Sequence, residues 1–196
     1  MEGDLAGERR RGEALDQALL DAAWEELRTH GYAHLTMEAV AERAGTSRPV
    51  IARRWDGKAP LAVAAIRRQM EAFPVDVPDQ GDVRTQLLAY LARASDRAEG
   101  IAAAFSLFTS EYFSEVGSSP ESLHSALIRG EAETETQILK RAVARGEVEG
   151  RKLVPPVSTL LGDLFRHHVI MNFSAPPIAL REAWVDSIFL PLVRPD

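Results

Sequence analysis

Residues 43–58 read Arg-Ala-Gly-Thr-Ser-Arg-Pro-Val-Ile-Ala-Arg-Arg-Trp-Asp-Gly-Lys, and this stretch decides the fold. It carries five basic side chains and one acidic side chain, in a chain of 196 residues whose net charge is -6. Ser47 is a favourable N-cap residue, because its hydroxyl can accept a hydrogen bond from the first free N–H groups of a helix. Pro49 falls in the first turn, where its missing N–H costs nothing. The stretch therefore predicts a short helix from Ser47 to Trp55 with an arginine-rich outer face.

The residues before this helix predict a second helix that is joined to it by a tight turn. Thr36 precedes apolar residues at helical spacing, namely Met37, Val40, Ala41 and Ala44. Gly45 can adopt the left-handed conformation that ends a helix. Two short helices joined by Gly45-Thr46-Ser47 match a DNA-binding helix-turn-helix, whose second helix enters the major groove. The same corner is also common in helical proteins that bind no DNA.

Short motifs follow one another in a fixed order between residues 13 and 70. They are His30-Gly31-Tyr32, Leu35-Thr36-Met37, Val40-Ala41, Ala44-Gly45-Thr46-Ser47, Val50-Ile51, Trp55 and Lys58-Ala59-Pro60-Leu61. Together they resemble the N-terminal domain of TetR-family transcriptional regulators. The chain departs from that family at Ala52, where Tyr or Phe is usual, and at Pro49-Val50, where Gly-Thr is commonest. The resemblance implies an all-α protein with an N-terminal three-helix helix-turn-helix DNA-binding domain and a C-terminal helical ligand-binding and dimerisation domain.

Helical periodicity and a segment rich in Pro, Asp and Gly predict the domain boundaries. Residues 73–82 read as a linker, and past it only helices are predicted, over 84–98, 101–116, 120–145, 156–173 and 177–193. We expect a flexible basic arm at 1–12, the helix-turn-helix domain at 13–60, a connecting helix and linker at 61–82, and the C-terminal domain at 83–196. The arm ends in Arg9-Arg10-Arg11, which is either a solvated tail or a contact to DNA.

Composition restricts the class of protein. With 45% hydrophobic and 27% charged residues, the chain has the make-up of a globular protein. Residues 1–73 hold 11 basic and 12 acidic side chains, whereas residues 74–196 hold 12 and 17, so basic character is local. The absence of cysteine excludes disulfides and thiolate chemistry. Because no apolar run approaches the ~18 residues of a membrane span, we expect a cytoplasmic protein without a membrane partner.

The predicted DNA contacts come from the helix-turn-helix corner and the start of the next helix. The set is Thr36, Thr46, Ser47, Arg48, Pro49, Val50, Arg53, Arg54 and Lys58. Arg48 and Arg53 are expected at base edges, because arginine pairs bidentately with guanine. Pro49 and Val50 are expected to touch thymine methyl groups. Contacts to phosphates are expected from Thr36, Ser47, Arg54 and Lys58.

The last two predicted helices carry more apolar surface than one helix face can hold. A helix that is apolar nearly all round must be buried on several sides, and the resemblance implies that these helices pack against a second copy of the chain. A two-fold dimer also suits a palindromic operator read at two half-sites. The predicted dimer interface consists of Leu161, Phe165, Val169, Trp184, Val185 and Ile188. The alternative is that both helices lie in the interior of a monomer.

A sensor pocket is predicted from aromatic and hydroxyl side chains between the linker and the last two helices. Its residues are Tyr90, Phe105, Phe108, Thr109 and Tyr112. A cavity lined by aromatic rings and a few hydroxyls suits a mostly apolar small effector. The alternative is ordinary core, since aromatic side chains at helical spacing commonly just pack.

Other classes of protein explain the sequence less well. Asp163 with His167-His168 suggests a metal site, but the two histidines point about 100° apart on a helix, and no third ligand is indicated. No phosphate loop, nucleophile elbow or dinucleotide motif occurs, so we expect neither a cofactor nor enzymatic activity. An architectural DNA-compacting protein would need a broad cationic surface. The sequence therefore predicts a ligand-responsive transcriptional regulator, a repressor rather than an activator. The alternative is a small helical enzyme or ligand-binding protein with a degenerate helix-turn-helix.

Overall fold

The computed structural model describes residues 2–116, Ser119, Leu123 and residues 131–196, among which helices occur and no β-strand does. The helices are α1 (Glu2–His34), α2 (Met37–Arg43), α3 (Arg48–Ala52), α4 (Lys58–Glu71), α5 (Val83–Ser95), α6 (Ala98–Phe108), α7 (Tyr112–Val116), α8 (Glu131–Ala144), α9 (Leu160–Asn172), α10 (Ile178–Ala183) and α11 (Leu190–Val193). A π-helical segment, Trp184–Phe189, joins α10 to α11. The predicted all-α class is confirmed. Among the residues that the structure describes, no helix is both long enough and apolar enough to span a membrane.

Although residues 1–12 are predicted from the sequence to form a flexible arm, α1 already begins at Glu2. Residues 2–12 contain no proline, and their Glu, Arg, Leu and Ala residues have favourable helix propensities. Gly31 interrupts the helical backbone, with φ 71° and ψ 172°. Residues 2–12 therefore continue α1 in this structure, and the flexibility of the arm stays a prediction.

The helix predicted over residues 101–116 is two helices, α6 and α7. Ser110 explains the break, since its Oγ donates to the carbonyl of Leu107 at 2.9 Å and accepts from the N–H of Tyr112 at 3.3 Å. The Thr109 hydroxyl lies 3.3 Å from the carbonyl of Ser106. Such local bonds compete with the helical ladder, and here they end α6 and start α7. The helix predicted to open at Pro120, with Leu127 and Ile128 inside, falls outside the described residues in that part, and α8 is its later portion.

Packing divides the chain into two units. The first comprises Met1–Gln69 and Ala103–Leu123, and the second comprises Met70–Ala102 and His124–Asp196. The helix-turn-helix lies in the first unit and the last helices lie in the second. The functional domains 1–12, 13–60, 61–82 and 83–196 stay a prediction, because they divide the chain by role and not by packing.

Each unit has its own apolar core. Side chains that are at most 1% exposed in the first unit include Leu19, Tyr32, Leu35, Ile51, Leu61, Ile66 and Leu107. Those at most 2% exposed in the second unit include Leu87, Tyr90, Leu91, Ile138, Leu161, Phe165, Val169, Val185 and Phe189. Burying each such side chain contributes about 1.5–3 kcal/mol. The helices thus hold together through the apolar faces that their periodicity predicts.

In the second unit, charged groups fix the segment that the sequence predicted as a linker. Arg145 forms an ion pair with Glu147 and lies 2.9 Å from Asp79. The other oxygen of Glu147 accepts from the N–H of Val83 at 2.5 Å. Within the linker Val77 is buried, so this segment is packed despite lacking regular structure. The hydrogen bond from the Arg145 guanidinium lowers the pKa of the Glu147 carboxyl below its ordinary value of 4.5.

We expect Glu147→Gln to lower the free energy of unfolding by about 1–2 kcal/mol at pH 7, because it weakens hydrogen bonds made to a charged group. A carboxyl whose folded-state pKa is depressed stabilises the fold above its unfolded-state pKa, and that stability is lost as pH falls. The difference in free energy of unfolding between the wild type and Glu147→Gln should therefore become smaller below pH 4.5. Urea denaturation from pH 7 down to about pH 3.5 checks this. A gap that stays constant through this range would show that the charge of Glu147 does not stabilise the fold.

Candidate nucleic-acid interface

The corner formed by α2 and α3 has the local structure that its sequence predicts. Thr36 is the N-cap of α2, and its hydroxyl accepts from the N–H of Ala39 at 3.1 Å. Gly45 has a φ of 64°, in the left-handed region that a helix end requires. The inner face of α2 buries Met37, Val40 and Ala41. These contacts fix α2 in place and set the direction in which α3 leaves the turn.

The predicted recognition helix is short and is held by one buried side chain. Ile51 is 0% exposed and anchors α3, whereas Arg48, Pro49 and Arg53 are exposed. The helix spans five residues and ends at Ala52, before the predicted Trp55. Just past this end, the N–H groups of Arg54 and Trp55 both bond to the carbonyl of Ile51, at 2.8 and 3.0 Å. The exposed side chains lie around the first two turns, where a helix entering a DNA groove touches bases.

Ser47 occupies the predicted N-cap position, but its predicted side-chain hydrogen bond is wrong, since no such capping bond forms. Pro49 removes one of the two N–H groups that an N-cap side chain accepts from. The other, on Val50, bonds to the backbone carbonyl of Ser47 at 3.0 Å. The exposed hydroxyl of Ser47 is therefore not used for capping and can bind a phosphate oxygen.

The basic side chains of the corner differ in their partners. The Nε of Arg48 lies 2.9 Å from a carboxylate oxygen of Glu38, and both side chains are well exposed. Arg54 forms an ion pair with Asp16 on α1. The ammonium of Lys58 lies 4.6 Å from the centre of the Tyr32 ring, a cation–π contact. Among the described residues Arg53 has no ion-pair partner, so its guanidinium needs no rearrangement to meet DNA.

An ion pair between a buried carboxylate and an exposed guanidinium, which the sequence did not indicate, connects α1 to α2. Glu26 is 7% exposed, and its carboxylate accepts from the Nε of Arg43 at 2.7 Å. The sequence placed Arg43 with the other basic residues of the corner, and nothing in the spacing of 17 residues pairs it with Glu26. Arg43 is therefore engaged in holding the corner together.

The predicted sensor residues do not all belong to one unit. Tyr90 is buried in the second unit, while Phe105, Phe108, Thr109 and Tyr112 lie in the first. Tyr112 is buried and packs edge-to-face on Tyr32, with ring centres 5.7 Å apart. Phe108 is half-buried, and its ring centre lies 5.6 Å from that of Phe113. The structure thus joins part of the predicted set in an aromatic cluster, and their role in sensing stays a prediction.

The predicted dimer residues are mostly covered by their own chain. Five are buried in the second unit: Leu161, Phe165, Val169, Trp184 and Val185. Ile188 is 39% exposed. Four large apolar side chains in the last helices and in the turn between them are more exposed than Ile188. The sequence analysis did not identify them: they are Met171, Phe173, Ile178 and Leu192. No periodicity rule separates the two sets, since both belong to helices that are apolar nearly all round.

The histidine pair lies beside aromatic and amide groups. The ring of His168 packs edge-to-face on Trp184 at 6.0 Å, and Asn172 donates to the His168 backbone carbonyl at 2.9 Å. Asp163 accepts from Arg166 at 2.6 Å and from Thr159 at 2.7 Å. Within the part of the chain that the structure describes, no three His, Asp or Glu side chains could together hold a metal ion.

Two family models match the chain. One, described as bacterial regulatory proteins, tetR family, matches residues 19–65. The other, described as tetracyclin repressor-like, C-terminal domain, matches residues 77–188. The second match alone covers more than half of the chain, and the first contains the whole α2–α3 corner.

Curated relatives include helix-turn-helix regulators from mycobacteria. The DNA-binding transcriptional repressor TetR of Mycobacteroides abscessus is 36% identical over 91 residues, which make up 46% of this chain and 48% of that protein. The chain thus matches about half the length of that repressor. An uncharacterized HTH-type transcriptional regulator of Mycobacterium tuberculosis is 31% identical over 169 residues, covering 84% of this chain and 81% of that protein.

Solved structures share the fold. The fatty acid degradation regulator FadR from Bacillus halodurans aligns with a TM-score of 0.63 at 16% identity, covering 91% of this chain and 94% of that one. A TetR-family transcriptional regulator from Rhodococcus sp. aligns with a TM-score of 0.60 at 20% identity, covering 90% and 95%. At these identities the likeness concerns the arrangement of helices alone.

Proposed function

Because the chain belongs to the TetR family of transcriptional regulators, we propose that two copies bind a palindromic operator and release it when a small, mostly apolar effector binds. In this proposal the protein is a repressor. We also propose the cytoplasmic location that was predicted from the sequence, because a protein that binds an operator must share a compartment with the DNA.

The observation that carries this proposal is the surface of α3. Ile51 anchors the helix from below while Arg48, Pro49 and Arg53 remain exposed. Arginine suits guanine edges, and Pro49 suits the thymine methyl group. Thr36, Ser47 and Lys58 flank these side chains in sequence and would contact phosphates, which position the duplex without reading it. Of the predicted phosphate contacts, Arg54 fits least, because Asp16 already engages its guanidinium.

Two-fold symmetry would let one chain read both halves of a palindrome. The second unit exposes Met171, Phe173 and Ile178 to 65–67%, together with Ile188 and Leu192. Ile188 and Leu192 are four residues apart near the end of the chain, close to the spacing that puts two side chains on one helix face. Monomeric proteins rarely expose a large contiguous apolar surface. We take these five residues as the dimer face in place of the five buried ones that the sequence indicated.

Release of the operator would require an effector that prefers the state unable to bind DNA. An effector changes an equilibrium only through its different affinities for the two states. Driving occupancy from nearly full to nearly empty takes about 5.5 kcal/mol of such preference, which two symmetric pockets can share. The predicted sensor residues Phe108 and Tyr112 lie in the same unit as the helix-turn-helix, so packing changes near them can reach the DNA-reading surface.

We expect Arg48→Ala to weaken operator binding by about 1–3 kcal/mol and to relax preference at one base position, because it removes a base-reading guanidinium. Lys58→Ala should weaken binding to all sequences alike and lower the salt slope by about one. The measurement is fluorescence anisotropy at several salt concentrations. It uses a duplex selected from a random-sequence library by this protein, together with single-base variants of that duplex.

Lys140→Ala serves as the control, because it removes an exposed cation from the second unit. It should leave both affinity and salt slope unchanged. If Arg48→Ala and Lys58→Ala lose affinity uniformly over all duplexes, the division into base and phosphate contacts is wrong. If the library yields no bound duplex at all, the proposed function itself fails.

A further inference from the structure

A surface cavity of about 740 Å³ lies along α4 in the first unit. Its lining includes Lys58, Pro60, Val63, Ala64 and Arg67 of α4, and Tyr112 of α7. The volume lies within the roughly 300–1,000 Å³ of small-molecule sites. Tyr112 lines this cavity, but the other four residues predicted from the sequence to sense an effector do not. The cavity is therefore a different site from the predicted pocket.

The α4 side of the cavity is a single helix face. Pro60, Val63, Ala64 and Arg67 follow the i, i+3, i+4, i+7 spacing that puts side chains on one stripe. Three of them are apolar, and the fourth ends the stripe with a positive charge. Lys58 and Arg67 are nine residues apart, which is about 13.5 Å along a helix axis. The cavity is therefore elongated, with an apolar middle and a cation at each end.

Charge on the lining favours an anion. Two cations, Lys58 and Arg67, face one acid, Asp56. Arg67 is exposed and forms no ion pair within the described residues, whereas its neighbour Arg68 donates to Asp21 at 3.1 Å. A guanidinium presents a planar fork of donors that fits a carboxylate. Arg67 thus offers the cavity an uncommitted anion-binding group.

The end of the cavity away from Arg67 lies beside Lys58, one of the predicted DNA contacts. Tyr112 packs on Tyr32 with ring centres 5.7 Å apart, and the Lys58 ammonium lies 4.6 Å from the centre of the same Tyr32 ring. Tyr112 and Lys58 both line the cavity. A molecule that reaches this end of the cavity would therefore contact Tyr112 and Lys58, both of which pack on Tyr32.

From these contacts we propose that the cavity binds a small molecule with one anionic group and an apolar body. The anion pairs with Arg67, and the body lies on Pro60, Val63 and Ala64 with its end against Tyr112. Occupancy displaces Lys58 from its place over Tyr32 and weakens the hold on operator phosphate. The regulatory part of this inference rests on the proposed function, whereas the binding site does not.

Straight-chain carboxylates from hexanoate to dodecanoate test the site, with octylamine and octanol as probes that lack the anion. Calorimetry measures binding to the wild type, to Arg67→Gln and to the matched control Arg68→Gln, which removes the same charge outside the cavity lining. We expect at least one carboxylate to bind the wild type and Arg68→Gln equally, and to bind Arg67→Gln about tenfold or more weakly, because one charge-assisted contact is lost. That carboxylate should lower operator affinity within the usual range of about 5–150-fold for two coupled sites.

Ala64→Phe provides a second variant, since a ring at this half-buried position fills the cavity. Circular dichroism shows whether it folds, and the folded protein should bind no carboxylate while still binding the operator. The inference is overturned if no carboxylate binds, if Arg67→Gln binds as the wild type does, or if octanol and octylamine bind equally well. Carboxylate binding without any change in operator affinity overturns the regulatory part. Failure of the unliganded wild type to bind selected DNA contradicts the proposed function and leaves the calorimetric test of the site intact.

Discussion

Ile188→Asp should yield a folded monomer that no longer binds the operator at concentrations where the wild type does. Ile188 is 39% exposed within its own chain, so a carboxylate there is tolerated by the protomer. In a dimer the same carboxylate would be buried without a partner, at a cost of several kcal/mol. Sedimentation velocity gives the oligomeric state, circular dichroism the helix content, and fluorescence anisotropy the operator affinity.

The neighbouring Ser187→Asp is the control, because Ser187 is exposed and places the same charge one residue away on a different side of the helix. It should remain dimeric and bind the operator as the wild type does. A fully dimeric Ile188→Asp protein would place the interface elsewhere on the chain.

Phe165→Asp should prevent folding of the second unit altogether. Phe165 is 2% exposed and belongs to the core of that unit. An unpaired carboxylate at such a site costs several kcal/mol, in addition to the lost burial of the ring. Domains are stable by only about 5–15 kcal/mol, so the loss takes up most or all of the stability. Circular dichroism should show a reduced helical signal for this variant, and urea denaturation should show no cooperative transition from the second unit.

Phe165→Leu keeps the site apolar and should retain a cooperative transition, with a loss of about 1–2 kcal/mol. The pair of substitutions separates the two interpretations of α9. A well-folded but monomeric Phe165→Asp protein would mean that this residue faces a second copy, as the sequence first suggested.

The helix-turn-helix could be predicted because its signals are local. Thr36 caps α2, Gly45 takes a φ of 64°, and Ile51 falls on the buried side of α3. Each depends on residues within one or two turns, so sequence spacing is enough. The capping bond of Ser47 failed for an equally local reason, since Pro49 removes one N–H and the other is already bonded.

The break between α6 and α7 was missed although its cause is also local. The apolar residues of 101–116 keep helical spacing across the break, and periodicity outweighed the polar pair Thr109-Ser110 in the prediction. In the structure the Ser110 hydroxyl bonds to backbone groups on both sides of it. Helical spacing of apolar residues therefore establishes that a segment is helical more firmly than it establishes that the helix is continuous.

The division of the last helices between core and interface could not be predicted. An apolar residue at helical spacing must be covered, but the pattern does not say by which chain. Val185 is fully buried within its own unit, whereas Ile188, three residues later, remains partly exposed. What differs between them is the position of neighbouring helices, which is a property of the whole fold.

The acidic partners of two arginines in residues 43–58 could not be predicted for the same reason. Asp16 and Arg54 are 38 residues apart, and Glu26 and Arg43 are 17 apart. The sequence indicated five basic side chains against one acid in this stretch, yet α1 supplies acids to two of them. The basic surface available to DNA is therefore smaller than the composition of residues 43–58 suggests.

The contact between Tyr112 and Tyr32 has a consequence for building chimeric regulators. Tyr32 belongs to the stretch that a protein engineer would transplant to give another repressor a new DNA specificity, while Tyr112 lies 80 residues later in the chain. Cutting after α4 would leave Tyr32, 1% exposed in the intact chain, without the ring that packs on it. A graft that carries Ala103–Leu123 along with Met1–Gln69 keeps the unit as it packs. The unit to be transplanted is thus discontinuous in sequence. A simple exchange of the N-terminal domain needs one crossover point, whereas a transplant of this unit needs three, after residue 69, before residue 103 and after residue 123.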